Sequence, residues 1–432
     1  LPVPNPVPSY WLSEPHKYAN LRSTPDLPES CDIAIIGSGM SGVLTAYHIL
    51  KSSPADTLPS IVLLDARQLC SGATARNGGH AKVKTDTLTS LPSSQRVEFQ
   101  AYVASVMRAL KDLVEEEGLS AHCEFEVRRS YDVFQDVSKA AEVKKVYDEA
   151  LCRGEKWTKE YAYLGEDIAE KVTSLRGAKA AFSSPAASFW PYKFVTGLLE
   201  RMVGRWGQTG LNIQTNTPVT SVHESTLGAT KLSTPRGNLH ASKVVFATNA
   251  WTPGLLPSFK HTITPVRGMA SHHTPLQPIH PHLNTTYNIH FSPSAALSPP
   301  SSRKREGTDY LNPRPNGSIV VGGGNYAYSK NKALWYGNFD DSARMPADVE
   351  KHWEQYMQDT FLGWEESESR AGLVWVGIQG YTSDGMCHVG RVPGEGKKKQ
   401  QWMLAGFNGG GMALIAGAAK AVAEMVVLDR DF

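Results

Sequence analysis

The sequence predicts an α/β fold: a Rossmann-like sheet that binds a dinucleotide, interleaved with an α+β substrate domain built on an antiparallel sheet. Three observations point there. A short apolar strand, Ile33-Ala34-Ile35-Ile36, runs directly into the glycine-rich turn Gly37-Ser38-Gly39-Met40-Ser41-Gly42. A helix-like segment over residues 43–50 follows, and then a second apolar strand, Ile61-Val62-Leu63-Leu64, ending in Asp65. Far down the chain, Val244–Ala247 reads as a buried strand, and residues 402–427 read as a strand, a glycine cluster and a long Ala-rich helix. These pieces together make one sheet, with β-rich segments between them forming the second domain.

Each glycine of the first turn has a physical task in such a fold. Gly37 permits the tight turn, Gly39 lets the backbone approach a pyrophosphate, and Gly42 lets the helix pack closely on the strand. The pyrophosphate is then held by free N–H groups at the positive end of the helix dipole. An acidic residue at the end of the second strand, here Asp65, is placed to accept from a ribose hydroxyl.

The remaining elements follow in order. Residues 1–30 hold prolines at positions 2, 4, 6, 8, 15, 25 and 28 and read as an extended arm on the surface. Gln95 to Glu117 places Phe99, Val103, Val106, Met107, Leu110 and Val114 on one helical face, and Gly118 stops it. Residues 123–134 read as a strand, 140–163 as helical, 182–191 as irregular and aromatic, and 192–206 as helical. Short strands are expected over 211–233 and 262–321, the latter interrupted by a Pro/Ser-rich loop from Ser292 to Ser302. The expected division assigns residues 31–117, 191–255 and 370–432 to the nucleotide-binding domain and 118–190 and 256–369 to the substrate domain.

Composition narrows the function classes. The 432 residues are 41% hydrophobic and 20% charged with a net charge of +2, which gives no electrostatic case for nucleic acid or an anionic membrane. The basic run at residues 397–399 reads as a solvated turn. The longest apolar candidate, Met412 to Leu428, carries Lys420 and Glu424 and is not a membrane span. Five widely spaced cysteines fit reduced thiols in an intracellular, cytoplasmic protein, and a first residue other than methionine leaves N-terminal processing open. The histidines between His272 and His290 lack intervening carboxylates, so no metal site is expected there.

Four separated motifs resemble the D-amino-acid-oxidase-like family of FAD-dependent oxidoreductases, and most closely its γ-glutamylputrescine oxidase branch. They are the strand–GSGMSG–helix unit with Asp65; Ser71-Gly72-Ala73-Thr74-Ala75-Arg76-Asn77-Gly78-Gly79-His80; Val245-Phe246-Ala247-Thr248-Asn249-Ala250-Trp251; and Ala405-Gly406-Phe407-Asn408-Gly409-Gly410-Gly411-Met412. The resemblance implies that Gly37, Ser38, Gly39, Met40, Ser41 and Gly42 hold the FAD pyrophosphate. Asp65 would then take the ribose, with Ala66 and Arg67 toward the adenine. It places Ser71, Gly72, Ala73, Thr74, Arg76, Asn77, Gly78, Gly79 and His80 along the flavin. Val219, Thr248, Asn249, Trp251, Gly377, Asp384, Gly406 and Asn408 complete the implied cofactor site. Gly409, Gly410, Gly411 and Met412, at a helix start, would face the N1–C2=O end of the ring, where a helix dipole favours negative charge. In covalent relatives a cysteine lies two residues before a Tyr-Thr pair; here Gln379 occupies that place before Tyr381-Thr382, so FAD is expected to be noncovalent.

The resemblance further implies oxidation of a C–N bond in a small amine, with hydride passing to flavin N5 and the imine hydrolysing to a carbonyl. O2 or another acceptor would reoxidise the flavin. Such chemistry needs positioning and a neutral nitrogen more than a strong base. The residues expected near the reacting atoms are His80, Tyr310 and Gln379. Trp190 and Trp251 are candidate pocket walls. Relatives that act on glycine or D-amino acids carry an arginine in a GxRP segment; this chain reads Gly377-Ile378-Gln379-Gly380 there, and an amide cannot replace a bidentate guanidinium. A carboxylate clamp would have to come from Arg128, Arg267 or Arg314, in which case an N-substituted or modified amino acid is the substrate. A non-catalytic flavoprotein or assembly partner is the reading from a different class. The purified chain is expected to be yellow and to release its flavin into the supernatant on acid precipitation; colour retained in the pellet would show covalent attachment.

Overall fold

The computed structural model describes residues 1–224, 229–292, 305, 307–394 and 400–430. Most of the Pro/Ser-rich loop expected after Ser292 and the basic run at 397–399 lie outside the described residues. In chain order the strands are β1 (Ser30–Ile36), β2 (Ile61–Leu64), β3 (His80–Ala81), β4 (Glu126–Phe134), β5 (Ala162–Leu164), β6 (Ala180–Ser188), β7 (Leu211–Gln214), β8 (Ser221–Glu224) and β9 (Thr230–Thr234). They continue with β10 (Gly237–Phe246), β11 (Ile263–Thr274), β12 (Thr286–Phe291), β13 (Gly307–Pro313), β14 (Ile319–Gly323), β15 (Arg370–Thr382), β16 (His388–Arg391) and β17 (Gln401–Ala405). The helices are α1 (Met40–Ser52), α2 (Thr85–Ser90), α3 (Ser93–Glu116), α4 (Val137–Cys152), α5 (Glu166–Thr173), α6 (Pro191–Trp206), α7 (Ala347–Glu350), α8 (Tyr356–Thr360) and α9 (Ile415–Leu428).

The first sheet has the order β16-β17-β10-β1-β2-β7. Strands β17, β10, β1, β2 and β7 run parallel, and β16 caps one edge antiparallel to β17. All four residues of β2 and all five of β17 are buried, as strands covered on both faces require. Helix α1 is buried over residues 40–47 without interruption, because it is enclosed by the sheet, α9 and α6.

The second sheet has the order β15-β11-β14-β13-β12-β4-β6-β3, with β5 added beside β6. It is mixed rather than purely antiparallel, since β12 and β4 run parallel. Three sequence expectations change here. Residues 182–191 are not irregular: most of them belong to β6, which pairs along its whole length with β4. Helix α4 ends at Cys152 rather than 163, where Gly154 at positive φ turns the chain. Strand β15 is hydrogen-bonded to β11 and so lies in the second sheet, although residues 370–432 were assigned with the first. Similarly, β3 joins the second sheet through β6.

The proline-rich arm also departs from expectation. Most of residues 1–30 are exposed or half-buried, but one stretch is anchored inward: Trp11 is fully buried, and Val7, Ser9 and Tyr10 are buried with it. Alternate prolines keep it extended, so Val7 and Ser9 point inward while Pro8 points out.

At Gly42 a Cβ would collide with the Gly37 carbonyl oxygen and reach 3.3 Å from the Ala247 Cβ. Helix α1 therefore starts in contact with the backbone that follows β1 and with the side chain that follows β10. Because the obstructing atom is backbone, a side chain there cannot be accommodated by a rotamer change. Gly42→Ala is expected to destabilise the chain by about 2 kcal/mol or more, read from urea unfolding midpoints at unchanged m-value.

Candidate functional site

The C-terminal ends of β1, β2, β10 and β17 all open onto one elongated cleft, where a parallel sheet places its ligands. It encloses about 1660 Å³, counting its open mouth. The opposite wall comes from the second sheet: Gly268 and Met269 of β11, Tyr310 of β13 and Gly377, Ile378 and Gln379 of β15.

At the end nearest α1, Gly37, Gly39, Met40 and Ser41 line the cleft. Helix α1 starts at Gly39 with no side-chain cap, so its first-turn N–H groups are left to the cleft apart from that of Met40, which donates to Thr74 Oγ1 at 3.0 Å. Ser38 points the other way. Its N–H and hydroxyl both donate to Asp65 Oδ2, at 2.9 and 2.5 Å, while Asp65 Oδ1 accepts from the Arg67 N–H at 2.9 Å. The Asp65 carboxylate borders the cleft but works first as a brace for the glycine turn. The Arg67 guanidinium is likewise engaged, bidentate on Asp341 at 2.8 and 3.1 Å and on the Val3 carbonyl at 3.1 Å.

The loop 71–79 forms one long side. Ser71, Gly72, Ala73, Thr74, Arg76 and Asn77 line the cleft. Arg76 is buried, and its guanidinium donates to the carbonyls of Ser71, Val7 and Val376, with Asp341 at 3.6 Å; it is an anchor for the loop. Burial lowers its pKa to about 10, and the Asp341 carboxylate opposes that shift. Asn77 closes the turn on itself by accepting from the Gly79 N–H at 2.7 Å, and it donates to Met412 Sδ at 3.2 Å.

From the other motifs, Val219, Thr248, Asn249, Trp251, Gly377, Gly409, Gly411 and Met412 line the cleft. Asn249 Oδ1 accepts from the N–H groups of Gly406 and Phe407 at 3.0 and 3.3 Å, tying the end of β10 to the end of β17. Asn408 accepts from the Thr382 N–H at 2.8 Å and braces β15 instead of facing the cleft. Gly42, Gly78, Gly79, His80, Gly406 and Gly410 also lie behind the lining. Asp384 is a correction: its carboxylate closes an exposed turn with the Met386 N–H at 3.0 Å and pairs with His388 at 3.3 Å, away from the cleft. Of the candidate walls, Trp251 lines the cleft, whereas Trp190 is buried beneath Trp11.

Tyr310 and Gln379 both line the cleft from the second sheet, and each carries a polar group with no protein partner among the described residues. The Tyr310 ring lies flat against two glycines; a Cβ on Gly78 would come within 2.6 Å of its Cε2, and one on Gly322 would overlap its hydroxyl. Burial, then the nearby Asp309 carboxylate, pushes the Tyr310 hydroxyl well above its usual range, so it stays protonated. The Gln379 side chain stands over Gly409 and Gly268. His80 does not line the cleft; it meets the Tyr310 ring edge-on at 5.3 Å, and burial holds it neutral, with Lys82 and Arg314 adding to the effect.

Sequence reasoning missed Met269, Gly268 and Ile378, since nothing local marks a residue that faces a cleft from a distant strand. It also missed the arm, although Ser9-Tyr10-Trp11 put an aromatic pair inside a polar, proline-rich segment.

The chain matches the DAO family, described as FAD dependent oxidoreductase, over residues 32–425. It therefore belongs to that family of FAD-dependent oxidoreductases. Over 211 residues, 46% of this chain, it is 25% identical to the "Rieske 2Fe-2S iron-sulfur protein YhfW" of Bacillus subtilis (strain 168); the match spans 37% of that protein's length. Among solved structures, glycine oxidase from Geobacillus kaustophilus superposes with a TM-score of 0.70 at 17% identity, covering 94% of this chain and 96% of that one. L-proline dehydrogenase from P. horikoshii gives a TM-score of 0.69 at 18% identity, covering 93% and 94%. Both likenesses are of fold.

The Asp65 brace yields a test. Asp65→Asn keeps one acceptor for the Arg67 N–H but sets an amide N–H₂ against the Ser38 N–H. Leaving that donor unpaired is expected to cost about 1–3 kcal/mol, measured by urea unfolding of FAD-free protein.

Proposed function

We propose that the cleft holds FAD noncovalently and that the chain oxidises the C–N bond of a small amine lacking an α-carboxylate. The fit to FAD rests on the structure itself. Gly37 and Gly39 line the cleft with backbone alone, an uncapped helix start faces the same space, and a second loop extends the cleft beyond what a pyrophosphate needs. Gly37, Gly39 and Ser41 are suited to the pyrophosphate. Thr74, Asn77, Gly409, Gly411 and Met412 are suited to the flavin end. No cysteine lines the cleft among the described residues, which supports noncovalent binding. Bound FAD supplies the two-electron acceptor that amine oxidation requires.

The observation that carries the substrate reading is the polar inventory at the Tyr310–Gln379 end. None of the three candidate clamps lines the cleft. Arg128 pairs with Glu126 and the Pro313 carbonyl, Arg267 donates to the Ala343 carbonyl, and Arg314 pairs with Glu124 through Nη2 at 2.5 Å. The buried Arg267 Nε and Arg314 Nε and Nη1 have no hydrogen-bond partner among the described residues, but neither residue lines the cleft. On the second-sheet wall the groups without a protein partner among the described residues are a neutral phenol and a neutral amide, and the Ser71 hydroxyl on the loop is unpartnered as well. An α-carboxylate placed there would lose its water without gaining a partner of opposite charge.

An uncharged amine suits those groups. The Tyr310 hydroxyl oxygen can accept from the amine N–H, and the Gln379 carbonyl can accept a second one, leaving the nitrogen lone pair free as the C–H bond breaks. Neither residue takes a proton near neutrality, so the substrate must arrive deprotonated. The product imine then hydrolyses in water to a carbonyl compound and an amine or ammonia. That glycine oxidase and L-proline dehydrogenase share the fold is consistent with C–N chemistry on this scaffold.

The test is anaerobic bleaching of the flavin band by a panel of primary and secondary amines and their α-carboxylated counterparts. Amines are expected to reduce the flavin and amino acids to fail; reduction by amino acids alone would overturn the reading, and reduction by nothing would favour a non-catalytic flavoprotein. For a reactive amine, kcat/KM is expected to rise about tenfold per pH unit below the amine's own pKa and to level off above it. Gln379→Arg is expected to lower KM for α-amino acids while raising it for amines.

A further inference from the structure

The buried N-terminal arm is the feature that the proposed function leaves unused. We propose that it is part of the cofactor site and that Trp11 is a positioning residue, shaping the Asn77–Gly79 turn that FAD requires.

The arm makes four polar contacts to residues 67–77. The Val3 carbonyl accepts from Arg67, and the Val7 carbonyl accepts from Arg76 at 2.9 Å. The Ser9 hydroxyl donates to the Ala75 carbonyl at 2.6 Å, and the Trp11 indole N–H donates to the Asn77 carbonyl at 2.6 Å. Each inward group of the arm thus meets a different station of residues 67–77. Leu1 and Pro2 reach the cleft itself. Simple core packing by an aromatic residue would not produce this set of polar contacts to one segment.

Trp11 fixes the turn in two ways. It pairs the Asn77 carbonyl, and its ring fills the space beside Gly79, where a Cβ would lie 2.5 Å from Cη2. The Asn77 side chain, whose backbone Trp11 holds, in turn reaches Met412 on the far side of the cleft. The arm is secured from behind: Trp190 donates to the Trp11 carbonyl at 2.8 Å, Arg314 lies 5.3 Å over the Trp11 ring, and Tyr10 stacks on His272 at 4.0 Å. Asp341 completes the buckle, pairing with Arg67 and accepting from the Val7 N–H at 2.8 Å. The loop's bound shape therefore depends on the docked arm, and by linkage FAD must tighten the arm by the same factor.

The experiment is FAD titration of deflavinated protein, with apo-protein stability measured in parallel. Trp11→Phe keeps an aromatic ring but removes the indole N–H and the ring atoms beside Gly79; FAD affinity is expected to fall about tenfold, in excess of what the accompanying loss of apo stability accounts for. Ser9→Ala is expected to give a smaller loss in the same direction, and removal of residues 1–9 a loss of about a hundredfold or more. Should the shortened chain fail to fold, hydrogen exchange on the intact protein decides: the Val7 amide is expected to exchange more slowly with FAD than without. FAD affinity within about twofold of wild type in Trp11→Phe, or Val7 exchange indifferent to FAD, would overturn the proposal. It rests on FAD occupying the cleft and not on the amine assignment. Uptake of FAD without reduction by any amine overturns that assignment alone, and a chain that takes up no FAD overturns both.

Discussion

The close approach of α1 to the ends of β1 and β10 is the constraint on which the site depends. A helix can start there only because Gly42 has no Cβ to meet the Gly37 carbonyl. That contact sets the first turn of α1 at the mouth of the sheet, with its N–H groups uncapped apart from that of Met40. Everything around it serves to hold that geometry. Asp65 ties the turn to the end of β2 through Ser38, and Thr74 ties the helix start to the second glycine loop. Asn249 ties β10 to β17. The parallel sheet thus delivers four strand ends to one line, and short polar side chains lock the loops that leave them.

The second sheet contributes a wall rather than a set of reactive groups. Tyr310 sits where Gly78 and Gly322 leave room for a flat ring, so its position is set by backbone on both sides. Charge is distributed in a complementary way. The guanidiniums bordering the cleft, Arg67 and Arg76, converge on Asp341, and breaking such a buried arrangement from one side typically costs about 3–5 kcal/mol. Tyr310, Gln379 and the other second-sheet residues lining the cleft are uncharged among the described residues. Charge bordering this cleft at Arg67, Arg76 and Asp341 works to hold loops together.

Much of this was legible in the sequence wherever the signal was local. The two glycine turns, Asp65, the β10 strand and the closing glycine cluster each announce themselves within about ten residues, because turn chemistry depends on neighbours. Most of the implied cofactor residues do line the cleft. What local reading could not supply was pairing. Strand β6 contains Pro185 and several small residues, which read as irregular, yet β4, β3 and β5 all pair with it. Strand β15 follows a long irregular stretch, and its membership in the second sheet is decided by β11, roughly a hundred residues earlier in the chain. Asp384 matched a motif by position but sits in a turn that closes on itself.

The arm shows why composition misleads where an extended segment is buried. Alternating proline is the signature of a solvated, extended chain, because such a segment cannot form a ladder or a helix. The same inability makes it suited to lying along a loop that has no ladder either. An extended strand would offer its N–H groups in register with a sheet edge; this arm offers carbonyls and side chains at alternate positions, which match the irregular donors and acceptors of residues 67–77. The prolines at 2, 4, 6 and 8 also reduce the conformational entropy lost when the arm docks. A segment that reads as unstructured when taken alone is therefore preorganised for the one surface that complements it, the outer side of the cofactor loop.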